Sequence, residues 1–120
     1  MALNRGAVVT ASIGGPSGKP RPFLVVRSDS FAEHSMVTVM AFTSSPSDNP
    51  TLRVMVRPSA ENGLHAASHA MIDHIQSVRV QTIDQVVGQL ADVDLMTVTR
   101  AVAVYLGMAD PRHRARRERA

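Results

Sequence analysis

The sequence predicts a mainly β fold, a small and strongly bent antiparallel sheet or barrel with one helix at its C-terminal end. Short segments rich in β-branched residues recur between Ala7 and Leu90, and Gly, Pro, Asn or Ser clusters separate them. The segment after Leu90 has helical apolar spacing instead. With 120 residues and no cysteine, the chain is expected to form one domain around a core that needs no disulfides.

Six segments have the pattern of β-strands. The first alternates between apolar and polar positions, the second is apolar throughout, and the third is rich in β-branched residues. In the fourth, Leu52, Val54 and Val56 form an apolar face and alternate with Arg53, Met55 and Arg57, which are expected on the exposed face. The predicted strands cover residues 7–13, 21–27, 36–43, 52–57, 69–76 and 86–90.

The C-terminal pattern predicts an amphipathic helix. Asp92 is the expected N-cap, and Asp94 suits the first helical turn because the helix dipole favours a negative charge there. Gly107 is the expected stop signal. The apolar stripe follows a spacing of three to four residues through Leu95, Val98, Val102, Tyr105 and Leu106.

The positive charge of the chain lies at its end. The formal net charge is +3, and five arginines against Asp110 and Glu118 supply all of it within the last twelve residues. We therefore expect a domain over 1–108 with no net charge and a basic, disordered tail over 109–120. A neutral body argues against a broad nucleic-acid face, so a phosphate site must be local. The chain has no signal-peptide core and no apolar run for a membrane helix, which predicts a cytoplasmic protein.

The most informative segment is the strand that Arg21 opens. Pro20 and Pro22 restrict the backbone on both sides of Arg21, so its guanidinium can bind an anion with little loss of freedom. If the second and third strands form a hairpin with Arg27 opposite Val37, Arg21 falls opposite Thr43. Lys19, Ser44 and Ser45 belong to the same end of the sheet, and this group suits a phosphate. The alternative is a surface arginine beside a Ser/Thr turn.

A second group of candidates follows in the fifth strand. Asp73 lies among apolar residues and needs a partner, either to handle a proton or align an arginine, or as a structural carboxylate bonded to backbone amides. In a regular strand His74 would face away from Asp73, on the side of Ala70 and Ile72. The spacing of His65, His69 and His74 is not that of a metal site. The histidines therefore give no reason to expect a metal. No helix follows the glycines at 14–18, so a nucleotide cofactor is not expected either.

The order of these motifs resembles the MazF/PemK/Kid toxins. The likeness covers about residues 4–108 and rests on Arg5-Gly6, Arg21-Pro22 before an apolar strand, Thr43-Ser44, Ile72-Asp73 and Val87-Gly88, followed by the terminal helix. It implies an SH3-like barrel, shared with the gyrase poison CcdB, that is usually a homodimer. It also implies the toxin of a type II toxin–antitoxin module, which is neutralised by a cognate antitoxin. Such toxins cleave single-stranded RNA without a metal by 2′-hydroxyl attack, leaving a cyclic phosphate and a 5′-hydroxyl.

The resemblance also assigns site residues. Arg21 would stabilise charge on the scissile phosphate, Thr43 and Ser44 would bond it, and Asp73 would act as base or align the site. Lys19, Ser45, His74 and Gln76 complete the candidate substrate-binding set.

The chain departs from the family pattern at several of these positions. The loop before Lys19 lacks the acid or histidine of many relatives, Met71 replaces the arginine of the Kid branch, and Gln76 stands where an arginine is common. Lys19 or His74 could substitute in proton transfer. Two other hypotheses stay open: a non-cleaving or gyrase-directed module like CcdB, and a generic RNA-binding barrel that uses the arginine tail.

Overall fold

The computed structural model describes residues 3–14, 19–45 and 50–108; the predicted tail at 109–120 lies outside this part of the chain. The described residues form one six-stranded sheet in the spatial order β4-β5-β3-β2-β1-β6, and all of its strand pairs are antiparallel. This confirms the predicted mainly β fold with a C-terminal helix. The elements are β1 Ala7–Ala11, β2 Arg21–Val25, β3 Met36–Thr43, β4 Arg53–Val56, β5 Ser68–Arg79, β6 Ile83–Gln89 and α1 Asp92–Tyr105.

Both faces of the sheet carry a hydrophobic core. Even-numbered side chains of the central strands, such as Leu24 and Met40, pack in one core, which Val98 of α1 also joins. Odd-numbered side chains such as Val25 and Val39 pack in the other, together with Leu3 and Ile83. Successive strand residues point to opposite faces, so a strand buried on both sides must be apolar throughout. This explains the continuous apolar run of β2.

The register between β2 and β3 is the predicted one. Phe23 lies opposite Ala41, Leu24 opposite Met40, and Val25 opposite Val39. Continued toward the start of β2, this register sets Arg21 opposite Thr43. Because a slip of one residue would exchange the side chains of the two cores, the register is strongly specified.

The pairing of β5 with β3 is interrupted by a bulge. Met40 lies opposite Ile75, but Phe42 lies opposite Ala70. On the β3 side, the four residues 71–74 of β5 therefore lie opposite the single residue Ala41. Ile72 and Ile75 both pack in the core around Val98, although they are three residues apart. The expected alternation of His74 with Ala70 and Ile72 is therefore wrong, because the bulge changes the phase of the strand. Asp73 and His74 both lie outside the core.

A loop after β4 bridges the two edges of the sheet. The amide of Gln89 in β6 donates a hydrogen bond of 2.8 Å to the carbonyl of Glu61. Asn62 is only 3% exposed, and its side chain accepts from the amides of Ser59 and Leu64 and donates to the carbonyl of Arg57. The described strand pairs leave β4 and β6 as edges, and this loop covers the gap between them.

The helix α1 differs from its prediction at both ends. Ala91 is the N-cap and makes no side-chain capping bond, whereas Asp92 is inside the first turn, so the prediction of Asp92 as the cap is wrong. Gly107 has a φ of 77°, and the amides of Gly107 and Met108 bond to the carbonyls of Val104 and Ala103, which is the glycine stop expected from the sequence.

The buried stripe of α1 is also shorter than predicted. Val98 is fully buried, but Tyr105 and Leu106, the end of the predicted apolar stripe, are about half exposed. No helix among the described residues is long and apolar enough to cross a membrane.

The contact between the bridging loop and β6 yields a stability prediction. A Cβ at Gly88 would lie 2.3 Å from the backbone carbonyl atoms of Asn62, so the loop would have to move. We expect Gly88→Ala to lower the free energy of unfolding by roughly 1–3 kcal/mol, the usual cost of overpacking. Gln85→Ala, at an exposed position of the same strand, is the control for urea unfolding. Equal stability of the two variants would contradict a tight loop contact.

Candidate phosphate site

A small cleft at one end of the sheet brings three predicted site residues together. Arg21, from the start of β2, and Thr43 and Ser44, from the end of β3, line it with Pro22, Phe42 and Ser68. Its volume is about 180 Å³. The cleft exists because the two strands of an antiparallel pair begin and end at the same sheet edge, in the register that both cores specify.

The hydroxyl groups of this cleft have defined hydrogen-bonding roles. Thr43 Oγ1 accepts a bond of 3.2 Å from the amide of Ser45, which leaves the hydroxyl hydrogen of Thr43 available for donation. Ser68 Oγ donates to the carbonyl of Ala66 at 3.0 Å, so the oxygen of Ser68 retains acceptor capacity. Ser68 is a site residue that the sequence analysis missed, since it opens a strand otherwise marked by its histidines and Asp73.

Arg21 is exposed at the mouth of this cleft, unlike several other arginines. The guanidinium of Arg27 donates to the carbonyls of Leu3 and Met36, each at 3.0 Å, and Arg27 is only 8% exposed. The guanidinium of Arg5 donates to Thr99 Oγ1 at 2.6 Å and to the carbonyl of Val26. Those two side chains serve the fold, whereas Arg21 presents a forked donor next to hydroxyl groups. Such a group of donors can hold a tetrahedral oxyanion.

The partner of Asp73 is an arginine from the neighbouring strand. Arg53 Nη1 lies 2.7 Å from Asp73 Oδ1 and also donates to the carbonyl of Leu52 at 2.8 Å. The side chains of Arg53 and Asp73 are 8% and 22% exposed. Arg53 pairs in register with Met71 on β5. The prediction that Arg53 lies on an exposed strand face is therefore wrong, because its carboxylate partner and the curvature of β5 cover it.

The Arg53 side chain controls the ionisation of Asp73. Burial alone would raise the pKa of Asp73, but the hydrogen bond and charge of Arg53, a backbone hydrogen bond and the nearby His74 outweigh it and hold the pKa below its ordinary value. Asp73 is therefore an ionised acceptor at neutral pH. His74 Nε2 lies 3.8 Å from Asp73 Oδ1 and is half exposed.

The remaining candidates lie outside the cleft lining. Lys19 is exposed just before β2, and Ser45 contributes its amide to Thr43. Gln76 is exposed on β5 opposite Val39, well away from Arg21 along the strands. His69, which was considered only as a metal ligand, lies directly opposite Thr43. Within the described ranges, no three His, Asp or Glu side chains are close enough to hold a metal ion.

The bulge in β5 moves the acidic group toward the cleft. Asp73 is four residues from His69, which would be roughly 13 Å along a regular strand. Because residues 71–74 face Ala41 alone, Asp73 instead lies near the level of Ala41, two residues along β3 from Thr43. The structure thus has two neighbouring groups, Arg21 with hydroxyls and Arg53 with Asp73, instead of one converged set.

Fold and site together define a class of small, helix-capped β proteins that present a local cleft lined by a cation and hydroxyl groups. Residues 4–106 match the family model of the PemK-like, MazF-like toxins of type II toxin–antitoxin systems. The chain belongs to this family, which confirms the expected toxin of the endoribonuclease type at the level of the family.

Individual relatives agree with this assignment. A probable endoribonuclease MazF from Mycolicibacterium smegmatis (strain ATCC 700084 / mc(2)155) is 39% identical over 108 residues, or 89% of this chain and 99% of the relative.

Among solved structures, an endoribonuclease in complex with its cognate antitoxin from Mycobacterial species has a TM-score of 0.75 at 22% identity, over 92% of this chain and 100% of that one. A MazE-MazF crystal structure (Form-III) from Deinococcus radiodurans has a TM-score of 0.72 at 20% identity, over 91% and 100%. Both share the fold.

The lowered pKa of Asp73 predicts a pH dependence of stability. A carboxylate whose pKa is lower in the folded state stabilises the fold above its unfolded pKa of about 3.9, and this contribution is lost as the pH falls through the folded value. We therefore expect Asp73→Asn to be less stable than wild type at pH 7, with a difference that narrows below about pH 4. Urea unfolding at several pH values measures it. Glu33→Gln, at an exposed position, should match wild type throughout; a pH-independent effect of Asp73→Asn would contradict the ion pair.

Proposed function

We propose that this chain is a metal-independent endoribonuclease toxin that cleaves single-stranded RNA. The observation that carries the proposal is the convergence of Arg21, Thr43 and Ser44 in one cleft of phosphate size, in a chain of the MazF-like family. The curated relative is itself a probable endoribonuclease, and it is matched over nearly its whole length.

The proposed reaction is an internal transfer at phosphorus. The ribose 2′-hydroxyl gives up its proton and its oxygen forms a bond to the adjacent phosphorus. The bond to the 5′-oxygen breaks and that oxygen takes up a proton, which leaves a 2′,3′-cyclic phosphate and a 5′-hydroxyl. Negative charge grows on the non-bridging oxygens during this step. Arg21 supplies a forked cationic donor to that charge, and Thr43 and Ser44 supply hydroxyl donors.

Asp73 is assigned a positioning role in this proposal. Its carboxylate is ionised and bonded to Arg53, so its basicity is lower than that of an ordinary carboxylate. We infer that it orients the Arg53 guanidinium beside the substrate path instead of removing the 2′-hydroxyl proton. Two imidazoles lie nearby, His69 opposite Thr43 and His74 beside Asp73, and an imidazole is the side chain that most often transfers a proton in catalysis.

The proposed partners are a cognate antitoxin and a second copy of the chain, with the cytoplasm as the site of action. One solved relative is an endoribonuclease in complex with its cognate antitoxin. The outer side of α1 leaves apolar side chains uncovered: Val93 is 72% and Val104 64% exposed. This favours α1 as an interface over β3, which is enclosed between β2 and β5. An acidic antitoxin segment would suit the Arg21 cleft.

Cleavage by purified protein tests the proposal. We expect wild type to cut single-stranded RNA equally with and without a chelator, and Arg21→Ala to lose at least about a hundredfold in rate, as happens when an oxyanion donor is removed. Arg79→Ala is the matched control, because Arg79 is an exposed arginine at the opposite end of the same sheet, where it pairs with Met36. A single 2′-deoxy substitution at the cut site should abolish cleavage there.

The same assay separates the alternatives. RNA left intact by wild type, together with tight binding to gyrase, would replace the proposal by a CcdB-like module. A chain truncated after residue 108 is expected to retain cleavage, because the functional unit is proposed to be 1–108. Loss of RNA binding on this truncation, with Arg21→Ala fully active, would favour a barrel that binds RNA through its tail.

A further inference from the structure

A second cleft adjoins the one that contains Arg21. Its walls include Pro20, Pro22, His65 and Val87, with Leu64 at its base, and its volume is about 370 Å³. Pro22 and Ser68 line both clefts, so the two are contiguous. The volume lies near the lower end of the range of about 300–1,000 Å³ for small-molecule sites.

The lining of this second cleft suits a flat heterocycle. The imidazole of His65 offers a flat surface, and two proline rings with the side chains of Leu64 and Val87 add apolar contact. Single-stranded RNA is recognised mainly by stacking its unpaired bases on aromatic side chains, histidine included. From one cleft to the other, the lining changes from a cation with hydroxyl groups, through the acceptor oxygen of Ser68, to apolar side chains. A nucleotide has its phosphate, ribose and base in the same order.

We propose that the second cleft binds the nucleobase next to the phosphate held by Arg21, and that His65 and Val87 shape the base preference. The oxygen of Ser68, whose hydrogen is bonded to Ala66, lies at the junction, where an acceptor can receive a bond from a ribose hydroxyl. This inference rests on the proposed function, since it concerns the same RNA substrate, and it names the part of a nucleotide that each cleft binds.

The fold builds this cleft with two specific devices. Gly63 approaches the carbonyl oxygen of Val87 so closely that a Cβ there would lie 2.2 Å away, and the missing side chain lets the loop that carries His65 lie against β6. A register shift in β6 pairs Gly88 with Val8 but Val86 with Val9, so Val87 is the extra residue. Bulges of this kind redirect a side chain. Here the redirected side chain is a wall of the cleft.

Valine 87 and its neighbour provide a matched pair of variants. Val87 is 36% exposed and lines the cleft, whereas Val86 is 38% exposed and is not part of the lining. Val87→Trp should fill the slot, while Val86→Trp adds the same group beside it. His65→Ala removes one stacking surface without filling the cleft.

Titration with inorganic phosphate and with the four common nucleoside 3′-monophosphates tests the inference without requiring cleavage. We expect wild type to bind at least one nucleotide about tenfold or more tightly than inorganic phosphate, the scale of one base stacked on a side chain. Val87→Trp should remove that gain and keep phosphate binding, Val86→Trp should resemble wild type, and Arg21→Ala should lose both ligands. In RNA cleavage, His65→Ala should weaken the base preference at one position beside the cut.

Two results would overturn the inference. One is equal binding of nucleotides and inorganic phosphate by wild type; the other is a nucleotide gain that Val87→Trp leaves unchanged. Either result, with RNA cleavage still dependent on Arg21, leaves the proposed function in place. If wild type leaves RNA uncut but binds a nucleotide, and Val87→Trp abolishes that binding, the inference stands and the proposed function is wrong. The base cleft would then exist in a protein that is not a nuclease.

Discussion

The register of β2 against β3 is the constraint on which the site depends. Both strands are covered on both faces, with Leu24 and Met40 in one core and Val25 and Val39 in the other. A shift by one residue would move each of these side chains to the wrong core, so the hydrophobic effect fixes the pairing. Arg21 and Thr43 lie just beyond this buried segment. Their proximity is therefore set by packing that involves neither of them, which leaves both side chains free to serve a ligand.

The loop after β4 shows how one contact can serve both fold and site. Asn62 uses its buried amide to hold the loop, and Gly63 and Gly88 allow it to approach β6 at van der Waals limits. The loop covers the space between the two sheet edges, and edge strands left open tend to pair with other chains. Its continuation carries Leu64 and His65 into the wall of the apolar cleft. The same loop therefore covers the gap between the sheet edges and builds part of that cleft.

The sequence was sufficient to predict the strands, the helix and the Arg21–Thr43 register, because these depend on local patterns and on one short hairpin connection. It was insufficient to identify the partner of Asp73. Its partner Arg53 is 20 residues away on β4, and strand alternation assigned Arg53 to an exposed face. The predicted orientation of His74 was also wrong, because strand alternation assumes a regular strand. The bulge at 71–74 depends on how β5 curves between β3 and β4. Ser68 was missed because nothing local marks a serine at a strand start as part of a cleft.

Location, and not the amount of charge, distinguishes Arg21. Arg5, Arg27 and Arg53 donate to carbonyls or side chains of the protein itself, so their charges stabilise the fold. Exposed arginines such as Arg79 lie on open surface, where water screens them. Arg21 differs because its guanidinium lies at the mouth of a cleft, beside hydroxyl groups that can bind the same anion. A count of charges along the chain points to its last twelve residues, whereas the phosphate site that we propose uses one guanidinium in a body with no net charge.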